Sequence, residues 1–209
     1  MKKRHPRWKI CSRAVSACVP VLFTLFGRPA AADETPNPLA KAEQAYRRGD
    51  LAEAIRLYRG AAETGDGAAQ ARLGDILDKA EENEDAVAWY RRSADQGNAH
   101  GLYGLGQMLA SGEGVARSSS LAMRYWGEAS RRGHVVATLV LARTYESGWA
   151  DVKADPAAAL QHWQKAAELG DIAAIHRLAA AYRKGELGVK ADESRAAAWE
   201  ARLPAEPRR

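Results

Sequence analysis

The chain has 209 residues, 46% of them hydrophobic and 27% charged, with a formal net charge of +5. Seven of its 31 basic residues (Lys2, Lys3, Arg4, Arg7, Lys9, Arg13 and Arg28) precede residue 33, where no acid occurs, so the rest sets 24 bases against 26 acids. That balance excludes a charge case for nucleic acid, and with both cysteines, Cys11 and Cys18, in the same early stretch it leaves no disulfide or thiol chemistry downstream.

Residues 1–32 have the three parts of a secretory signal: a basic start reaching Arg13, an apolar run over 14–26, and small residues at Ala30-Ala31-Ala32. The run is short for a bilayer span and carries Pro20. Cleavage after Ala32 is therefore expected, which makes the mature chain periplasmic or secreted. Membrane contact would come only through this segment if it stayed uncleaved. Cys18 does not make a lipoprotein box, because the bulk of the apolar run follows it. No Arg-Arg pair marks a twin-arginine route.

Residues 33–37 read as a short linker. The pattern Ala42, Tyr46, Gly49-Asp50, Ala54 then looks like an ordinary tetratricopeptide helix pair over 38–66. From there one motif recurs: a small residue, two bulky residues three and four on, a small residue at seven and Gly at eleven. It reads Ala54, Leu57-Tyr58, Ala61, Gly65; Ala86, Trp89-Tyr90, Ser93, Gly97; Ala122, Tyr125-Trp126, Ala129, Gly133; and Ala159, His162-Trp163, Ala166, Gly170. A partial copy follows at Ala196 with Trp199. Copies start 32, 36, 37 and 37 residues apart, the period of a stacked repeat array.

Each unit carries a second pattern upstream: Leu73-Gly74 with Leu77, Leu105-Gly106 with Leu109, Leu141-Ala142 with Tyr145, and Leu178-Ala179 with Tyr182. Large residues at i and i+4 make an apolar stripe on a helix, and the small residue between them is a flat spot for a neighbour. Gly costs a helix about 1 kcal/mol relative to Ala, so its recurrence implies close packing. The glycines ending each downstream motif are expected helix stops, and Asp66, Asn98 and Asp171 caps of the next helix. Asp155 before Pro156 is another helix start. The links Gly112-Glu113-Gly114-Val115, Gly148–Asp155 and Gly185–Asp192 are longer, with a valine placed to tuck back.

Leu-Gly, a large residue four on, Gly-x-Gly-Val, Asp, then Ala-x-x-x-Trp-x-x-Ala-Ala-x-x-Gly resembles the Sel-one-like repeat (SLR), a branch of the tetratricopeptide superfamily. The resemblance covers 67–199 and assigns 67–209 to such repeats with a short C-terminal helix. It implies an all-α, right-handed α-solenoid of four to five antiparallel helix pairs. It also implies adaptor or scaffold roles, with the first helix of each pair lining a concave face. By matching offsets the outward residues of those helices are Asp75 and Asp78; His100, Tyr103 and Gln107; Arg143 and Glu146; and His176 and Arg183.

Trp89, Trp126, Trp163 and Trp199 recur with the motif and are expected in the core. Trp149 stands outside it, in a loop, and joins the candidate partner contacts. His100, His134, His162 and His176 show no carboxylate at i, i+4 and no metal spacing, and Ser118-Ser119-Ser120 reads as a helix cap. No catalytic residue, metal or cofactor is expected. The leading reading is an exported, non-catalytic scaffold that binds a protein or peptide partner. A structural envelope-assembly subunit and a glycan-binding or hydrolytic protein using the groove are the alternatives. The last helix, from about Ser194 through Trp199 and Leu203 to Pro204, is Ala-rich and is expected to dock a partner or a second copy.

Overall fold

A computed structural model describes residues 38–204, so the expected signal segment and expected cleavage site lie outside the described residues. The described chain runs α1 (Pro38–Arg47), α2 (Leu51–Glu63), α3 (Gly67–Lys79), α4 (Asn83–Asp95), α5 (Ala99–Ser111), α6 (Ser119–Arg131), α7 (Val135–Ser147), α8 (Pro156–Glu168), α9 (Ile172–Lys184) and α10 (Glu193–Glu200). Among the described residues the only extended pairing is an isolated antiparallel bridge between Trp149 and Val152.

Local chemistry explains the boundaries. The side chains of Asp66, Asn98, Asp155 and Asp171 each accept hydrogen bonds from first-turn backbone N–H groups. Each cap satisfies a donor that the helix cannot, worth about 1 kcal/mol. Gly65, Gly97, Gly133 and Gly170 close the turns between pairs with φ of +98°, +73°, +84° and +90°, a conformation that costs an L-residue about 1 kcal/mol. The cap of α7 departs from the pattern, because His134 fills it and accepts the Ala137 N–H at Nδ1, 3.1 Å away.

Consecutive helices pack as α1 with α2, α3 with α4, α5 with α6, α7 with α8 and α9 with α10, and each pair stacks on the next through α2–α3, α4–α5, α6–α7 and α8–α9. This is an α-solenoid of five helix pairs. The alanine opening each motif is sealed: Ala54, Ala86, Ala122, Ala159 and Ala196 are 0% exposed. Gly74 is the expected flat spot, since a Cβ there would sit 2.7 Å from the Tyr90 ring. At Gly106 it would meet the Trp126 indole at 2.6 Å. Val115 and Val189 pack back onto the helices as expected.

The tryptophans do not form one core series. Tyr58, Tyr90, Trp126 and Trp163, the second members of the bulky doublets, are 2–4% exposed. Trp89 and Trp199 are first members and only half-buried. At 3.6 residues per turn the position four on stands about 40° past the sealed alanine, whereas the position three on falls about 60° short of it. The first residue is thereby turned to the rim, where Arg92 lies over Trp89 and Arg202 over Trp199, at 4.5 and 4.3 Å from the ring centroids. The last helix also ends earlier than expected, at Glu200, with Ala201–Leu203 in a turn. Pro204 disfavours helical backbone at the residue before it.

Candidate partner-binding face

The candidate residues sit on α3, α5, α7, α9 and the loop after α7, and the fold connects some of them across repeats. Asp75 on α3 is the hub. It accepts the Tyr90 hydroxyl at 2.9 Å and meets His100 Nε2 at 2.7 and 2.9 Å from its two oxygens. Arg72 lies 3.4 Å away. His100 Nδ1 in turn faces His134 Nε2 at 3.4 Å, and Tyr103 stacks on His134 with centroids 4.7 Å apart. The proton positions follow from the cap. Because Ala137 N–H donates to His134 Nδ1, neutral His134 carries its proton on Nε2. His100 then accepts at Nδ1 and donates from Nε2 to Asp75. One directional chain thus links α3, α5 and the start of α7.

The electrostatics agree with that order. Burial would raise the Asp75 carboxyl, but the hydrogen bonds it accepts from His100 and the Tyr90 hydroxyl, with the Arg72 charge nearby, hold it below the usual carboxylate range. Burial, then the neighbouring His100, pushes His134 below an ordinary histidine. Burial of the Tyr90 hydroxyl beside Asp75 raises it well above an ordinary tyrosine. Asp78, half-buried, is raised by burial and by Glu113 and Asp75, so this end of the face is acidic.

Other candidates are committed to internal structure. Glu146 accepts the Trp163 indole N–H at 2.8 Å and Arg177 Nε at 3.0 Å, and Arg177 also reaches Glu186 at 2.8 Å. Arg183 binds Glu193 at 3.2 Å and Glu200 at 3.0 Å, tying α10 to α9. Gln107, Arg143 and His176 are exposed. Trp149 is half-buried and tilted against Trp126, with centroids 5.4 Å apart. Tyr90, His134 and Arg177 belong to these networks although none of them stood among the outward positions. Only His134 left a trace, as a histidine where Asp66, Asn98 and Asp171 stand in the other repeats. Among the described residues no group of three or more His, Cys, Asp or Glu converges on a metal position.

A fold of stacked helix pairs with a varied polar face on the first helices defines a repeat-type α-solenoid. The Sel1 repeat profile matches residues 43–66, 67–98, 99–134, 135–171 and 172–199, and the chain belongs to the Sel1 repeat family. Those matches include the first pair, as a fifth unit. Among solved structures, a Sel1 repeat protein from Oxalobacter formigenes is 26% identical, with a TM-score of 0.68 over 78% of this chain and 68% of that one. The protective antigen c5321 of uropathogenic Escherichia coli, which displays an SLR fold, is 32% identical with a TM-score of 0.66. That match covers 79% of this chain but only 37% of the antigen. A putative Sel1 repeat protein from Klebsiella pneumoniae shares the fold at 21% identity and a TM-score of 0.56, over 78% of this chain and 82% of that one. No curated protein matches the sequence. Sel1 repeat proteins generally mediate protein–protein interactions. No described helix is long and apolar enough to cross a membrane.

Proposed function

We propose that the chain is an exported, non-catalytic scaffold that binds a partner protein or peptide along the face formed by α3, α5, α7 and α9. One observation carries this reading: at matched register the buried position is constant while its outward neighbour changes chemistry. Leu73, Leu105, Leu141 and Leu178 are all buried, whereas Asp75, Gln107, Arg143 and Ala180 present an acid, an amide, a base and a methyl. The face is acidic around Asp75, Asp78 and Glu113 and basic at Arg143, so an extended partner would lie on it in one direction. The non-catalytic role follows the family's usual scaffold function, and export follows the charge break and small residues before Asp33. The test is affinity purification of the tagged, exported protein with mass spectrometry, beside an Asp78→Lys/Gln107→Lys variant. Loss of the captured partner with unchanged helicity and melting supports the reading. Equal capture by both proteins refutes it.

A second reading rests on the C-terminal helix. Ala196 is sealed against α9, but Ala197 and Ala198 on α10 and Ala201 just after it are exposed, a small, lightly charged surface suited to a second copy or an envelope partner. Ala197→Glu/Ala198→Glu would charge it without disturbing Arg195, which pairs with Asp192 and lies over Tyr182. Association by light scattering that is unchanged in this variant removes the second reading.

A further inference from the structure

The repeats differ in one place where the difference leaves a hole. The sixth residue of each first helix is Arg72, Gly104, Val140 and Arg177 in α3, α5, α7 and α9. The residue after the glycine that ends α5, α7 and α9 is Glu113, Trp149 and Glu186. In the last unit Arg177 and Glu186 close on each other at 2.8 Å, so their ion pair fills the angle between helix and loop. In the unit before it both partners are replaced by apolar residues, Val140 and Trp149. There a pocket of 280 Å³ opens, lined by Trp126, Val140, Arg143, Thr144 and Trp149.

The pocket is built, not left over. Trp126, 4% exposed, is a fixed part of the lining. Trp149 is held against it by a two-residue turn in which Trp149 and Val152 exchange backbone hydrogen bonds of 2.9 Å. That turn places Ala150 at φ +51°, a strained conformation for alanine and of the kind kept where a side chain must be aimed. The lip is cationic. Arg117 lies 6.0 Å from the Trp149 ring centroid, and Arg143 is exposed and makes no ion pair among the described residues. Arg72, Arg177 and Arg183, the other arginines of α3, α5, α7 and α9, each hold a carboxylate.

We propose that this pocket takes one aromatic side chain of a partner peptide, and that Arg143 pairs with the carboxylate of the acidic residue beside it. The volume supports a single large side chain, since small-molecule pockets start at about 300 Å³. The half-buried Trp149 ring favours an aromatic ring stacked on or edge-on to it. Arg143, exposed and holding no carboxylate among the described residues, supports a carboxylate from outside. The proposal rests on the reading that the first-helix face binds a partner.

The test uses the isotope-labelled protein and three blocked peptides, acetyl-Gly-Phe-Asp-Gly-amide and the same peptide with Asn for Asp or Ala for Phe. The indole N–H signals of Trp126 and Trp149 are followed by NMR and assigned from Trp→Phe variants. The Phe-Asp peptide is expected to move both indole signals with a Kd of about 1 mM. The Asn peptide should bind about fivefold more weakly, as for one screened ion pair, and the Ala peptide should produce no shift. Arg143→Gln should equalise the Asp and Asn peptides while retaining the preference for Phe. No shift up to about 10 mM, equal binding of the Phe and Ala peptides, or an Asp preference that survives Arg143→Gln overturns the proposal. The wider reading fails separately. If Asp78→Lys/Gln107→Lys loses the purified partner while Trp149→Ala and Arg143→Gln keep it, the face stands and the pocket does not.

Discussion

Trp126 and Trp163 occupy the same register in successive repeats and are equally sealed, each 4% exposed. They differ in one hydrogen bond. The Trp163 indole donates to Glu146 at 2.8 Å, whereas that of Trp126 has no partner among the described residues. Replacing each by Phe removes a similar apolar area, so the comparison isolates the N–H. At Trp163 the lost bond has a charged acceptor, worth about 1.5–3 kcal/mol. The lower end applies, because Glu146 keeps Arg177 and its side chain is 29% exposed. At Trp126 the substitution removes a buried, unsatisfied donor, which relieves a desolvation penalty of about 1–3 kcal/mol and offsets the lost burial. Trp163→Phe is therefore expected to be the more destabilising by at least about 1.5 kcal/mol. With a urea m-value of about 2 kcal/mol/M, their midpoints would differ by about 0.7 M. Urea titrations followed by circular dichroism, with m unchanged, measure this directly. Equal midpoint shifts, or a larger loss at Trp126, would show that the Glu146 bond contributes nothing and would refute the reasoning.

Gly74→Ala should destabilise by about 1–3 kcal/mol by overpacking against Tyr90, outweighing the propensity gain. Gly60→Ala, also within a helix but with nothing within 4 Å of the added methyl, should stabilise by up to about 1 kcal/mol; thermal melts of the two must move in opposite directions. The folded protein holds His134 below its ordinary pKa, so between that lowered value and about 6.5 the unfolded chain binds more protons. Stability therefore rises with pH through this window, is fully present above about 6.5, and is lost as pH falls. His134→Asn keeps a capping side chain, as at Asn98, and should flatten the slope of Tm between neutral pH and about pH 5; an unchanged slope would place the titration elsewhere. His162, also lowered by burial, should retain its share. If the proposed export holds, the protein recovered from outside the cytoplasm should begin at Asp33 by intact mass, and a retained Met1 would establish an uncleaved segment.

The sequence alone determined the helices, all but the last of their ends and their repetition, because each of those depends on residues within about one turn of one another. Asp66, Asn98 and Asp171 cap by reaching two or three residues ahead, and Gly65, Gly97, Gly133 and Gly170 close turns through their own φ. The motif spacing carried the family for the same reason. The tertiary structure decided everything that depends on how one pair is rotated onto the next. Which member of each bulky doublet is buried turns on 100° per residue about an axis that only packing orients, so Trp89 and Trp163 were both expected in the core and only Trp163 is sealed there. Asp75, His100 and His134 are 25 and 34 residues apart and share a hydrogen-bond chain only because stacking brings α3, α5 and the start of α7 to one face. Glu146 and Arg183 were legible as outward positions, yet Trp163, Arg177 and α10 approach from other elements and take their charges. The pocket at Trp149 needed both levels: its odd loop residue was visible in the sequence, while the missing ion pair beside it shows only against the neighbouring repeat in three dimensions.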